Sequence, residues 1–288
     1  VFDMRLRNGN SQKYQHTFQF GILGIDFASE GPISKKHNSS YIINYRYSTT
    51  SLVEKIKGKE GMGGTLGYQD LNFKVNLPTS KAGTFSLWGI GLIDKVEPIV
   101  EDIDEWKYLD DGILTGAKQK SGAVGLSHKF LFGNKKTSLH TTLAATHLDS
   151  HIDEEFCDLD EKRSPRTDML AKTTNLVFTS AINHKFSSRH TNKTGVTFTD
   201  ISYDMNLDFT PIFGNPLENY SHSEGNSTLV SAYSSSRINI GQRFILTAGI
   251  TTQHFTLNKN TTLEPRAGLK WQATSKGSFA IGYGLHSR

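Results

Sequence analysis

Residues 70–88 read DLNFKVNLPTSKAGTFSLW and contain two alternating segments on either side of a polar turn. Successive side chains of a β-strand point to opposite faces, so alternation of apolar and polar residues predicts a strand with two unlike faces. Pro78 and Gly83 bracket the turn, and the alternation resumes at Phe85. The stretch therefore predicts a β-hairpin whose first strand has four apolar residues on one side: Leu71, Phe73, Val75 and Leu77.

The same alternation recurs along the chain and predicts about thirteen strands. The clearest further examples lie at 41–47, 176–186, 201–209 and 263–271, each with polar or charged residues on the opposite side. Two places depart from the pattern. Trp88 is out of phase with Phe85 and Leu87, and the apolar set changes phase between 18 and 27, which predicts a bulge or a segment covered on both sides.

The predicted connections alternate between short and long. Short ones lie at 31–39, 78–83, 133–136, 187–193, 239–242 and 275–277; long ones lie at 49–65, 94–118, 149–170 and 211–226, with 257–260 the short exception. A barrel that crosses a bilayer usually has short turns at one end and longer loops at the other, whereas a sandwich has no reason to sort them. The sequence therefore predicts an all-β fold, an antiparallel up-and-down transmembrane β-barrel. Its apolar edges, including Phe73, Leu207 and Leu269, are predicted to contact lipid.

Composition agrees with this class. The 288 residues include 26 glycines and 17 phenylalanines, and no run approaches the roughly 18 apolar residues of a membrane-spanning helix. The 32 basic and 28 acidic residues give a net charge of +4 without a basic stripe interleaved with aromatics, so no nucleic-acid partner is expected. The single cysteine, Cys157, excludes an internal disulfide and a cysteine-based zinc site.

Several phrases resemble the barrel of the TonB-dependent outer-membrane receptors, in particular the SusC-like branch of starch-utilisation transporters with a carboxypeptidase-regulatory-like domain. They are the opening hairpin together with 2–10 (FDMRLRNGN), 40–52 (SYIINYRYSTTSL), 263–271 (LEPRAGLKW) and 279–287 (FAIGYGLHS). Similar phrases occur in those barrels in the same order, and together they span nearly the whole chain.

The resemblance implies a 22-stranded barrel in the outer membrane of a Gram-negative bacterium, with a plug domain inside it. It also implies a short TonB box that couples the plug to the TonB energy-transducing complex. Neither the plug nor the TonB box is found in this sequence, so residues 1–288 are expected to be a partial barrel domain of a longer chain. The implied partners are outer-membrane lipid, a nutrient ligand and a SusD-like surface lipoprotein.

No catalytic constellation stands out, so no enzyme activity and no cofactor are expected. His147 and His151 lie at i and i+4, a spacing that brings side chains together only on a helix, and the region reads as a strand. His184 and His190 form a second histidine pair, and neither pair is assigned a metal. The glycines at 61, 63, 64 and 67 lack the Lys-Ser/Thr of a phosphate loop.

Two predicted long loops are acidic, at 97–111 and 153–161, and are interpreted as a solvated extracellular rim. Trp106 and Tyr108, in the first of them, are candidates for stacking on a ligand. Charged residues in the middle of strands are expected to point into the lumen, because a charge on the lipid side at mid-bilayer costs about 2 to 4 kcal/mol. These candidates are Arg46, Lys74, Asp204, Asp208, Arg266 and Lys270.

The sequence leaves three functions open. The first is TonB-dependent active uptake of a nutrient, which could be an oligosaccharide, a peptide or a metal chelate. The second is a structural or adhesive outer-membrane barrel whose long loops bind partners without transport. The third is a soluble all-β binding protein, such as a carbohydrate-binding sandwich.

Overall fold

The computed structural model describes residues 6–22, 24–48, 65–98, 106 and 112–287. These residues form thirteen strands in a single sheet, in which every strand pairs antiparallel with its neighbours in sequence. None of the described residues belongs to a helix that is long and apolar enough to cross a membrane. The strands are β1 (Gln15–Gly21), β2 (Gly24–Ser34), β3 (Ser39–Ser48), β4 (Thr65–Pro78), β5 (Thr84–Glu97), β6 (Ile113–Leu131), β7 (Thr137–Cys157), β8 (Arg163–Lys185), β9 (His190–Phe209), β10 (Glu218–Ile240), β11 (Phe244–Phe255), β12 (Asn260–Gln272) and β13 (Ser278–Gly284).

The up-and-down order places six short connections at one end of the sheet, which we call the short-turn end. They lie at 35–38, 79–83, 132–136, 186–189, 241–243 and 273–277, which confirms the short turns predicted at this end. The opposite end is not made of long loops alone, because its connections at 158–162 and 256–259 are also short. Gly83 occupies the turn of the opening hairpin with φ at +83°, and a Cβ there would lie 2.3 Å from the Lys129 carbonyl oxygen. A side chain would be strained and would clash with backbone, so this turn requires glycine.

At the opposite end, two predicted long loops are mostly strand. β7 continues to Cys157, β8 begins at Arg163 and β10 begins at Glu218, so the connections shrink to 158–162 and 210–217. The phase change between 18 and 27 is also not a bulge. It is a tight hairpin, in which Phe18 pairs with Phe27 and Phe20 pairs with Ile25.

The sheet has almost no packed core. Among the described residues only Leu114, Ala144 and Cys157 are buried apolar side chains, whereas many large apolar ones are exposed. A soluble sandwich buries the facing sides of two sheets against each other, and here there is one sheet. The large apolar surface must therefore be covered by something other than this sheet.

The pairing register gives the sheet two distinct faces. The outer face carries an apolar belt near the short-turn end, to which every strand from β3 to β13 contributes: Ile43, Phe73, Leu87, Leu126, Leu143, Phe178, Phe198, Val230, Ile250, Leu269 and Ile281. Phe73 and Leu269 lie in the apolar belt, as predicted. The inner face carries Lys74, Trp88 and the other residues in phase with them.

Aromatic rings border the apolar belt at the short-turn end. On the outer face Phe85 stacks on His128 with ring centroids 4.4 Å apart, and Trp271 stacks on Phe279 at 5.8 Å. Phe186 stacks on His190 at 4.8 Å. An aromatic border beside an apolar belt is typical of the interfacial girdle of membrane barrels.

The apolar belt ends where outer-face charges begin. On β7 the outer residues change from Leu143 and Ala145 to His147 and Asp149, and on β8 they change from Leu176 to Thr174 and Lys172. The belt thus covers about ten residues of each long strand, close to the 9 to 11 that a tilted strand needs to cross the hydrocarbon layer. β6 to β10 are 19 to 23 residues long, so they extend beyond the belt.

We predict that Leu143→Lys destabilises the intact protein in lipid vesicles by about 2 to 4 kcal/mol, because the 57% exposed side chain lies in the middle of the apolar belt. His151→Lys is the matched control, since residue 151 lies on the same face of β7 above the belt. The free energy of unfolding is measured by denaturant titration in vesicles. Equal effects of the two substitutions would mean that the belt does not contact hydrocarbon.

Candidate functional site on the inner face

Residues 6–10 lie across the inner face of β2 to β4. The Arg7 guanidinium donates two hydrogen bonds of 2.7 Å to the Glu30 carboxylate, and the backbone N–H of Asn10 donates to the same carboxylate at 2.8 Å. The Lys74 ammonium donates to the Leu6 carbonyl oxygen at 2.9 Å. The hydrogen bonds that Arg7 donates to the Glu30 carboxylate raise the pKa of Arg7 above its ordinary value. These contacts fix an extended segment against the wall.

Gly9 allows this close approach. A Cβ at residue 9 would lie 1.9 Å from the Tyr41 carbonyl oxygen, so the segment rests directly on the backbone of β3. Only glycine lets two backbones come this close. The inner face at this end is therefore shaped to hold a chain segment.

A cavity of about 1170 Å³ opens beside this segment on the inner face of β4 to β7. Its lining includes Leu6, Lys74, Trp88, Lys129 and His140. The Trp88 indole N–H donates to the Ser127 hydroxyl at 3.0 Å across the strand pair. Trp88 is out of phase with Phe85 and Leu87 because it belongs to this inner wall.

Four of the six predicted lumen residues share the inner face. Arg46 pairs with Asp70, with Nε and Oδ2 3.1 Å apart, and Arg266 pairs with Glu264 at 2.6 Å. Lys74 and Lys270 lie on the same face by strand register. Their charges are thus on the side away from the apolar belt.

Asp204 and Asp208 do not join them, so the prediction that all six share one face is wrong. Lys74 is in register with Trp88, Gly125, Ala144, Val177 and Thr199, which places the odd-numbered residues of β9 on the inner face. Asp204 and Asp208 are therefore on the outer face, beyond the belt. Leu207, predicted to contact lipid, lies on the inner face for the same reason.

The inner face carries a second apolar surface above the belt, which we call the upper inner patch and which the alternation within single strands did not predict. Ile152, Met169 and Leu207 form a row across three strands on the inner face above the belt. The full patch is Ile152, Phe156, Arg166, Met169, Tyr203, Met205, Leu207 and Phe209. The signal in the sequence was strand length, because a 20-residue strand has room for a second apolar segment outside the membrane.

Arg166 is the one cation in the upper inner patch. A bulge between Glu154 and Glu155 brings Arg166 over the Phe156 ring, with Cζ 5.6 Å from the ring centroid, and over the Phe209 ring at 6.0 Å. Its Nη1 also donates to the Glu154 carboxylate at 2.9 Å. Two aromatic faces and one carboxylate hold the guanidinium, and its remaining N–H groups are of the kind that bind carboxylates and similar anions.

Of the two residues predicted to stack on a ligand, the structure describes Trp106 and does not describe Tyr108. Trp106 is half-buried beside Gly112, at the end of the sheet opposite the short turns. Tyr108, the glycines at 61–64 and most of the first acidic loop lie outside the described residues. In the second acidic loop, Asp153 to Glu155 belong to β7.

The predicted histidine pairs are bonded to other groups. His147 lies 2.8 Å from the Thr174 hydroxyl, and His151 lies 2.8 Å from the Asp168 carboxylate. His184 lies 2.8 Å from the Thr137 hydroxyl.

We predict that Glu30→Gln releases residues 6–14 from the inner face, because the amide loses the charge-assisted bonds from Arg7. Limited trypsin digestion of the intact protein should then cut after Arg7 and Lys13 at least about threefold faster. Glu218→Gln, an exposed carboxylate at the start of β10, is the control and should leave the rate unchanged. If Glu30→Gln also has no effect, Glu30 does not hold the segment.

Comparisons with known proteins agree with this geometry. The chain aligns with the pyoverdine outer membrane receptor FpvA of Pseudomonas aeruginosa at a TM-score of 0.72 and 10% identity, over 96% of this chain and 46% of that one. It aligns with the ferric-catecholate import receptor Fiu of Escherichia coli at 0.68 and 10% identity, over 96% and 51%. It aligns with the ferric enterobactin receptor of Pseudomonas aeruginosa at 0.60 and 13% identity, over 93% and 42%.

These likenesses show the fold, and the chain spans about half the length of the structures it matches. The sequence comparison with curated proteins finds no match. The family model described as TonB dependent receptor-like, beta-barrel, matches residues 7–285. Because this match covers most of the chain, the chain belongs to that family.

Proposed function

We propose that this chain forms part of the wall of a Gram-negative outer-membrane transporter that takes up a ligand by TonB-dependent active transport. One observation carries the proposal. The outer face is apolar over the height of a membrane, while the inner face combines charged groups below with the upper inner patch above. Such a wall suits a solute that binds from outside and passes along the inner face.

Further strands would complete the barrel. β1 and β13 are the edges of the sheet, and unpaired backbone groups in hydrocarbon cost several kcal/mol each. The family resemblance suggests 22 strands, with residues 1–288 forming one partial barrel domain. The plug and TonB box would lie in other parts of the protein, and the inner-face charges at Arg46, Lys74, Arg266 and Lys270 would support the plug.

The ligand would first meet the upper inner patch, because it lies at the end away from the short turns. Aromatic and aliphatic groups with a single arginine suit a ligand that has both an apolar or aromatic surface and negative charge. Of the oligosaccharide, peptide and metal chelate that the sequence leaves open, this chemistry favours an anionic chelate. The matched proteins are receptors for pyoverdine, ferric enterobactin and ferric catecholate.

Assignment of the chain to the SusC-like branch is more specific than assignment to the family. It is supported only by the stretches of sequence that resemble that branch. It would add a SusD-like surface lipoprotein over the extracellular end and an oligosaccharide or peptide as cargo. Trp106 and Tyr108 would be candidates to stack on that cargo. The two assignments thus differ in the ligand that the upper inner patch receives.

Whole-cell uptake separates these functions. The intact protein is expressed in a host that lacks its own receptors, and uptake of a labelled ferric catecholate, a malto-oligosaccharide and a peptide is measured with and without TonB. We expect TonB-dependent uptake of the ferric catecholate. Surface binding without TonB-dependent uptake of any of the three would overturn the proposal in favour of an adhesive barrel.

A substitution of Arg166 tests whether the ligand is anionic. Arg166→Gln should weaken binding of the anionic chelate by at least about tenfold, because a charge-assisted hydrogen bond contributes about 1.5 to 3 kcal/mol. Arg163→Gln is the control, since Arg163 lies on the outer face of the same strand beside Glu155. Binding of a neutral chelate should change little. Equal losses for both chelates would indicate that Arg166 only supports the structure of the patch.

A further inference from the structure

Charged residues cross the outer face of the strand extensions in a single row. Strand pairing places Lys120 opposite Asp149, Asp149 opposite Lys172, and Lys172 opposite Asp204. The signs alternate along these four residues, and opposite charges at paired positions stabilise a sheet. The row runs just above the apolar belt, where side chains are solvated.

The alternation fails at the last step of the row. Asp204 is paired with Glu224 of β10, which places two carboxylates directly opposite each other. Like charges at paired positions are destabilising. Lys172 is the one cation opposite both Asp149 and Asp204, so the row ends with an excess of negative charge.

A histidine adds a third donor at this position. His222 lies two residues before Glu224 on the same outer face of β10, and its ring is diagonal to Asp204. One ligand atom each from Asp204, His222 and Glu224 lies within 4.8 Å of the other two. Three donor atoms of two chemical types therefore lie close together between β9 and β10.

The spacing suits a metal ion. Nitrogen and oxygen ligands bind Zn²⁺ at about 2.0 to 2.2 Å, so two ligands of one ion are separated by no more than roughly 4.4 Å. Asp204 is half-buried and His222 and Glu224 are exposed. Small side-chain rotations can therefore bring the donor atoms from up to 4.8 Å apart to the roughly 4.4 Å that one ion requires. The exposed side of the site leaves room for water as a further ligand.

We propose that Asp204, His222 and Glu224 bind a divalent transition-metal ion on the outer face of β9 and β10. An imidazole favours zinc and its neighbours over magnesium and calcium, which prefer all-oxygen sites. The ion removes the repulsion between Asp204 and Glu224. It also ties β10 to β9 in a stretch where, among the described residues, β10 pairs with β9 alone, since its pairing with β11 begins at Leu229.

The proposal is independent of transport, because the site lies on the opposite face from the upper inner patch. It is tested by titrating Zn²⁺ into the intact protein in detergent, without a polyhistidine tag, by calorimetry. We expect one equivalent of Zn²⁺, and Asp204→Asn, His222→Gln and Glu224→Gln should each weaken binding at least about tenfold. His254→Gln changes an outer-face histidine of β11 that lies 2.8 Å from the Thr261 hydroxyl, and it should have no effect.

A second variant separates metal binding from structural damage. His222→Asp replaces the nitrogen donor with a carboxylate, which should weaken Zn²⁺ binding and strengthen binding of Ca²⁺ relative to the unmodified protein. A merely unfolded hairpin would lose both ions. Zn²⁺ binding that is absent in the unmodified protein, or unchanged by His222→Gln, would overturn the proposal.

Discussion

The structure depends on the requirement that every backbone N–H and C=O group in hydrocarbon has a hydrogen-bond partner. A sheet meets this requirement for every strand that has a neighbour on both sides, and in this chain the hydrogen-bonded ladder joins consecutive strands from β1 to β13. Because the ladder lies in the plane of the sheet, the side chains need not form a core. The side chains of the two faces can therefore contact two different environments. This explains why only three apolar side chains of the described residues are buried.

The character of each face also changes along the strands, from the short-turn end to the opposite end. Near the short-turn end the outer face is apolar and the inner face is charged. Beyond the belt this polarity is reversed on β7 to β9, where the outer face carries Asp149, Lys172 and Asp204 and the inner face carries Ile152, Met169 and Leu207. The apolar groups on the inner face there lie on the side of the sheet away from the apolar belt.

The inner face also shows how a glycine and a carboxylate can fix a chain segment without a core. Gly9 lets residues 6–10 lie directly on β3, and Glu30 receives three hydrogen bonds from that segment. The wall thus binds an extended chain by backbone proximity and charge.

Alternation in the sequence was enough to predict the fold class, the number of strands and the end at which the short turns lie. It also placed Arg46, Lys74, Arg266 and Lys270 opposite the apolar residues of their own strands. Each of these is a local property, because side chains alternate with a period of two and turns require particular residues such as Gly83. A strand by itself, however, does not specify which of its faces is the inner one.

Only the tertiary structure decided the faces of β9. Five successive pairings connect Lys74 to Thr199, and this register shows that Asp204 lies outside and Leu207 inside. The same pairings bring Asp204, His222 and Glu224 together and place Arg166 between Phe156 and Phe209. These positions depend on contacts between distant parts of the chain, and the pattern within one strand carries no information about them.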